Sequence, residues 1–190
     1  MSTRKLAVAT VWMAAACFGA EPKVVVVIFD YAGTPGTTLE ASAETARKAL
    51  RTAGMETDWS ICRVSMDPDE HCTLPPAGTY LEAKVVPRAW EGLKSYEAMG
   101  YALIPRGERG VVSYAFYGPV KELAQSTGQP VSLVLAYVMA HEIGHLLGLK
   151  HSPSGIMKSN FNRHDLHDAA IGFLHFNTQE AKVLRAAAGN

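Results

Sequence analysis

The residues best equipped for chemistry in this 190-residue chain lie in one run, His141-Glu142-Ile143-Gly144-His145-Leu146-Leu147-Gly148-Leu149-Lys150-His151. Two histidines four positions apart on a helix share a face, with Cβ atoms about 5–6 Å apart. His141 and His145 can therefore converge on one ion at about 2.0–2.1 Å each, and zinc takes neutral imidazoles in tetrahedral geometry. His151 is a different case. On a continuous helix it would lie about 9 Å beyond His145 and about 240° around the axis, out of reach of that ion. The helix must break, and Gly148, midway between the two histidines, is the residue type that accepts the left-handed backbone such a break needs. Helix break and third ligand support each other.

Three protein ligands leave a fourth position open to water, the arrangement of a catalytic rather than a structural site. Glu142 follows the first ligand and is expected beside that position. Zinc lowers the pKa of the water it holds to around 7 and polarises a scissile carbonyl. A neighbouring carboxylate takes the water's proton and passes it to the leaving amine. The expected activity is zinc-dependent hydrolysis of peptide bonds, with Glu142 as general base and a protein or peptide as substrate. The competing reading is a zinc-stabilised binding module without turnover, in which Glu142 has no task. The H-E-x-x-H core alone arises by chance about once or twice in a hundred such chains. Adding Gly148 and His151 lowers that to about one in twenty thousand, so the full spacing carries the signal.

This full spacing resembles the metzincin superfamily of zinc endopeptidases, whose long motif is met by His141, Glu142, His145, Gly148 and His151. Downstream, Ser154-Gly155-Ile156-Met157 is similar to the Met-turn that passes beneath the metal in that superfamily, with Met157 as its methionine. Ser152 after the third histidine is similar to matrixins. Two features depart from the pattern: only five residues separate His151 from Met157, and Lys158-Ser159 stands where a tyrosine follows the methionine in astacin-like members. The resemblance implies a metzincin-like α+β fold, a mixed twisted sheet of about five strands with an active-site helix and a C-terminal helix. It also implies a substrate bound in extended form along the upper strand of the sheet, here residues 111–117, by β-addition. The wall of the specificity pocket falls in residues 158–175.

The elements that must hold these residues are legible in part. Residues 23–31 (KVVVVIFDY) are a near-continuous β-branched run, expected as a strand buried on both faces. Thr37 with Glu40 predicts a capping box opening a helix that runs to about Thr52 and stops at Gly54. Residues 56–64 and 80–86 alternate polar and apolar as strands do. Residues 65–78 read as loop and 88–100 as ambiguous. Two further strands, 101–104 and 111–117, flank a turn from Arg106 to Gly110. The strongest helical pattern runs from Leu133 to Leu147, with Ser132 as its N-cap and Gly148 as its stop. A last helix is expected from the cap Thr178, with Glu180 in its first turn, to about Ala188.

Composition fits one domain. Hydrophobic residues make up 48% and charged residues 19%, and the formal net charge is zero. No basic run is long enough to track phosphates, which excludes nucleic acid as a partner, and the composition carries no reading of oligomeric state. Residues 1–20 read as an export signal: Arg4 and Lys5, then the apolar stretch from Leu6 to Ala16, then small residues before Glu21-Pro22. The stretch is too short for a membrane span. Cleavage after Gly19 or after Ala20 fits equally. A lipid anchor on Cys17 is disfavoured because Ala14-Ala15-Ala16 lacks the usual large aliphatic residue. Removing the leader takes away Arg4 and Lys5, leaving 16 basic against 18 acidic side chains and a net charge of −2. Residues 21–190 are then the catalytic domain of a secreted or periplasmic protein, with no pro-segment expected. Cys62 and Cys72 either pair or stay as free thiols; the sequence leaves both open. His164, Asp165, His167 and Asp168 are a conceivable second metal site, read more readily as a solvated loop, with His71 and His175 isolated. Tyr114 and Tyr117 read as packing residues before oxyanion donors.

Overall fold

The structure, a computed structural model, describes residues 24–64, 72–76, 79–90, 98–105 and 110–189. Its elements are β1 (Val24–Asp30), α1 (Gly36–Thr52), β2 (Thr57–Arg63), β3 (Tyr80–Val86), β4 (Gly100–Leu103), β5 (Val112–Phe116), α2 (Tyr117–Thr127), α3 (Val131–Leu146), α4 (Arg163–Ala170) and α5 (Thr178–Ala187). The strands form one five-stranded sheet in the order β2-β1-β3-β5-β4. All neighbours are parallel except β4, which runs antiparallel to β5. The expected α+β class and mixed sheet are present.

Strand β1 is as the β-branched run predicts. Val26, Val27 and Ile28 are fully buried, because β1 has a strand on each side and both of its faces are covered. Helix α1 lays Leu39, Ala43, Ala46 and Leu50 on the core at helical spacing. Helix α3 is apolar all round, and every residue from 134 to 144 is buried. A helix of that kind must be enclosed on all sides. Here α1, α2, β4 and β5 pack against it.

Several boundaries differ from the sequence reading, each for a physical reason. The box of Thr37 and Glu40 does not form. The Asp30 carboxylate instead organises the preceding turn, accepting from the N–H groups of Ala32 and Thr34 and from the Thr34 hydroxyl. Helix α1 then starts directly after Pro35, with no side-chain cap. Helix α2 has no counterpart in the sequence reading, which assigns nothing between Tyr117 and Pro130. Pro119 falls in the first turn, where a missing N–H costs nothing, and the Gly118 N–H donates to the Pro87 carbonyl. Pro130, not Ser132, occupies the N-cap of α3. Asn177, not Thr178, caps α5: its side chain accepts from the Gln179 and Glu180 N–H groups, and Glu180 accepts from the Asn177 N–H.

The strand expected to meet substrate is also different. Residues 112–116 lie inside the sheet, paired with β3 and β4, so their backbone groups are already used. The edge strand on that side is β4. Beside it, Trp90 packs edge-on against Tyr101, Tyr114 and Phe116, with centroids 5.7, 5.0 and 5.9 Å away. At the opposite edge, Cys62 at the end of β2 is disulfide-bonded to Cys72, with Cα atoms 5.4 Å apart. That span is normal for a disulfide. The expected leader (residues 1–20), His71 and Arg106 to Arg109 lie outside the described residues. Among the described residues no helix is long and apolar enough to cross a membrane.

Candidate metal centre

Helix α3 carries His141 and His145 one turn apart, with Nε2 atoms 3.0 Å from each other. The helix then ends. Leu147 leaves helical geometry, Gly148 takes φ +96°, and the Leu149 N–H turns back to the Gly144 carbonyl at 2.9 Å. This reversal returns the chain, and the Nε2 of His151 arrives 3.1 Å from that of His145. Ligands about 2.0–2.1 Å from a tetrahedral ion stand about 3.3 Å from one another. The cluster is therefore close to the size that a zinc ion sets.

The outer nitrogens show what the inner ones are. His141 Nδ1 lies 2.7 Å from the Ile156 carbonyl, and His145 Nδ1 lies 2.8 Å from the Leu149 carbonyl. A carbonyl only accepts, so each Nδ1 carries the proton and each Nε2 presents a bare lone pair. Two lone pairs facing each other at 3.0 Å repel unless a cation lies between them. The donor set thus fits a divalent ion on chemical as well as geometric grounds. Burial keeps these imidazoles neutral. Desolvation lowers His141 to about 4, against its hydrogen bond to the Ile156 carbonyl, with His145 and His151 adding to the fall. His145 is lowered in the same way, by burial first and by His151 after it. Among the described residues this is the one His, Cys, Asp and Glu group compact enough to hold an ion.

The segment of Ile156 and Met157 supports this arrangement from below. The Ile156 N–H donates to the His175 carbonyl at 3.1 Å, while its own carbonyl orients His141. Met157 is fully buried, and a Cβ on Gly144 would come within 2.7 Å of its sulfur. Gly144 is the gap that lets helix and methionine meet. A profile of the matrixin family matches residues 55–172, more than half of the chain. The chain belongs to the matrixin family.

The matrixin's metallopeptidase fold is also found in solved structures of low sequence identity. One is a zinc-dependent peptidase from Methanocorpusculum labreanum, 17% identical, with a TM-score of 0.57 over 84% of this chain and 99% of that one. Another is metalloproteinase-II from Bacteroides fragilis, 13% identical, with a TM-score of 0.57 over 88% of this chain; the match spans 53% of its length. No curated protein sequence matches this chain.

Glu142 lies beside the histidines, 6% exposed, and burial pushes its carboxyl up to about 8. A divalent cation held by the neighbouring imidazoles pulls the other way, toward the carboxylate. With Glu142, His141 and His151, the residues Met99, Gly100 and Val138 line a cavity of about 270 Å³, whose remaining wall includes residues 158–161. Gly100 was not singled out in the sequence, since it ends a stretch without clear periodicity. A Cβ there would fall 2.5 Å from Glu142 Oε1 and 2.8 Å from its Cγ. Gly100→Ala must therefore displace a buried side chain. If Glu142 takes part in the reaction, the variant is expected to lose about a hundredfold in kcat/KM, the cost of a misplaced group, with metal content intact. Steady-state kinetics with metal analysis tests this; an active Gly100→Ala enzyme would show that Glu142 needs no such room.

The other candidates separate. Tyr114 packs on Trp90, and Tyr117 lies under the Lys121 ammonium at 5.1 Å; neither lines the cavity. The expected loop at residues 164–168 is helix α4. Asn162 and Asp165 form its capping box, and His164 lies 3.4 Å from Asp168. Asp165 is committed to the cap and to Lys158, so no second metal cluster forms there. An Asn followed three residues later by an Asp was the available signal for this helix.

Proposed function

We propose that this matrixin is a zinc-dependent endopeptidase in which His141, His145 and His151 hold the ion and Glu142 is the general base. The observation that carries the reading is three converging Nε2 atoms, those of His141 and His145 bare, beside a buried carboxylate in an open cavity. When bound, zinc supplies Lewis acidity, polarising the scissile carbonyl and acidifying water. Glu142 accepts the proton of the attacking water on a carboxylate oxygen and delivers it to the nitrogen of the leaving amine. The Ile156 and Leu149 carbonyls keep the Nδ1 protons of His141 and His145 in place, so the ring orientation is fixed before the ion arrives. Met157 props the ligand helix at Gly144, and Gly148 turns the chain so that His151 can join.

The exposed edge of β4 is the natural place for a peptide to add as a further strand, since among the described residues its outer backbone groups have no partner strand. Such a peptide would run beside Gly100 and thus past Glu142. The protein is further proposed to be exported, with residues 1–20 as a cleaved leader and 21–190 as one catalytic domain. The Cys62–Cys72 disulfide supports an oxidising compartment. Zinc stoichiometry and peptide-library cleavage on the purified protein test the function. One zinc per chain and internal cleavage of peptides are expected. A protein that binds one zinc yet cleaves nothing would instead be a zinc-stabilised binding module.

A further inference from the structure

The cavity wall at residues 158–161 is tied at both ends. At its start the Ser152 N–H donates to the Met157 carbonyl at 2.9 Å, pairing Ser152 with Lys158. At its end Asp165 Oδ2 accepts the Asn162 N–H at 2.8 Å as part of the α4 cap. The same Oδ2 receives the Lys158 ammonium at 2.6 Å. One carboxylate oxygen thus joins the first residue of the wall to the helix that follows its last. The two side chains are 27% and 13% exposed, so solvent and salt screen them less than a surface pair. Within the wall, Ser159 and Asn160 are exposed, while Phe161 is buried edge-on to the His141 ring, centroids 6.0 Å apart. Movement of the wall would reshape the cavity and shift the aromatic contact on a candidate ligand.

We infer that the Lys158–Asp165 ion pair is a clamp that fixes this wall and so sets which substrate side chain the cavity accepts. The clamp rests on the geometry just given; its consequence for selectivity rests on the peptidase reading above. Lys158 and Asp165 are positioning residues. Their charges are spent on each other, and the wall they hold in place carries the buried Phe161, in a cavity lined also by the apolar Met99 and Val138. The side chain selected is therefore an apolar one whose size the clamped wall limits.

The test uses Lys158→Met, which keeps the stem and removes the charge, and Asp165→Asn, which keeps an acceptor for the Asn162 N–H. The double variant and Lys158→Arg complete the set. Amide hydrogen exchange across residues 158–162 is measured on the purified full chain. It is expected to rise about fivefold in both single variants and no further in the double, and to stay near wild type with arginine. The ratio of kcat/KM for two peptides differing only in the size of one apolar residue next to the cleaved bond is measured in parallel. It is expected to shift about tenfold in the same three variants, through KM more than kcat, at constant zinc content. Unchanged exchange in Lys158→Met, or effects that add in the double variant, would overturn the clamp. A selectivity change in Lys158→Met that Asp165→Asn does not share would mean that the lysine meets substrate itself. If wild type cleaves no peptide the peptidase reading falls, and the exchange measurement alone decides the clamp.

Discussion

Replacing Glu142 by glutamine is expected to lower kcat by about a hundred- to ten-thousandfold, the usual contribution of a positioned acid–base group. Glutamine keeps the shape of the side chain and so fits under Gly100 as glutamate does. It lacks the ability to take a proton from water and return it to an amine. KM is expected to change little, because the backbone edge and the cavity wall are untouched. Zinc content stays at one per chain, since the three imidazoles are unaltered. The experiment is steady-state kinetics beside metal analysis on both proteins. A glutamine variant keeping more than about a tenth of wild-type kcat would remove Glu142 from the chemistry. A variant that lost zinc as well would leave the effect without a mechanism.

Stripping the ion should also cost stability, and by a large amount. Without a cation, the Nε2 lone pairs of His141 and His145 face each other at 3.0 Å, with His151 Nε2 3.1 Å from that of His145. The Nδ1 atoms of His141 and His145 are held to carbonyls, so the two rings cannot flip without breaking buried hydrogen bonds. A ligand that binds only the folded state at a thousand times its Kd stabilises it by about 4 kcal/mol. For a domain of this size, that corresponds to a fall in Tm of about 10 °C on removal. Thermal unfolding before and after exhaustive chelation, and again after zinc is restored, measures it. A melting curve indifferent to the ion would mean that the cluster is not arranged for metal.

The metal cluster was legible in the sequence because everything that builds it is local. The four-residue spacing of His141 and His145 and the glycine reversal before His151 follow from the geometry of one helix and its end. Helix α1, strand β1 and helix α3 were legible for the same reason: the apolar pattern of each, periodic in α1 and nearly continuous in β1 and α3, lies within a single segment. Sheet order is not local, and residues 111–117 were accordingly mistaken for the strand facing the cleft when β4 takes the edge. Helix α2 was hidden by Gly118-Pro119, whose meaning depends on whether they fall before, within or after a first turn. Gly100 carries no sequence mark at all; its value comes from Glu142, forty-two positions away in the chain and directly against it in space.

The open border of the sheet has a cost that reaches beyond catalysis. Among the described residues, strand β4 leaves one row of amides and carbonyls without a partner strand, and Tyr101, Leu103 and Ile104, with nearby Val111, are exposed around it. Any extended chain can pair there, including a neighbour of the same kind in a crowded solution. The four-residue length of the strand keeps that hazard small. A longer β4 would grip peptides harder and also invite pairing between copies, so brevity at this border limits both at once.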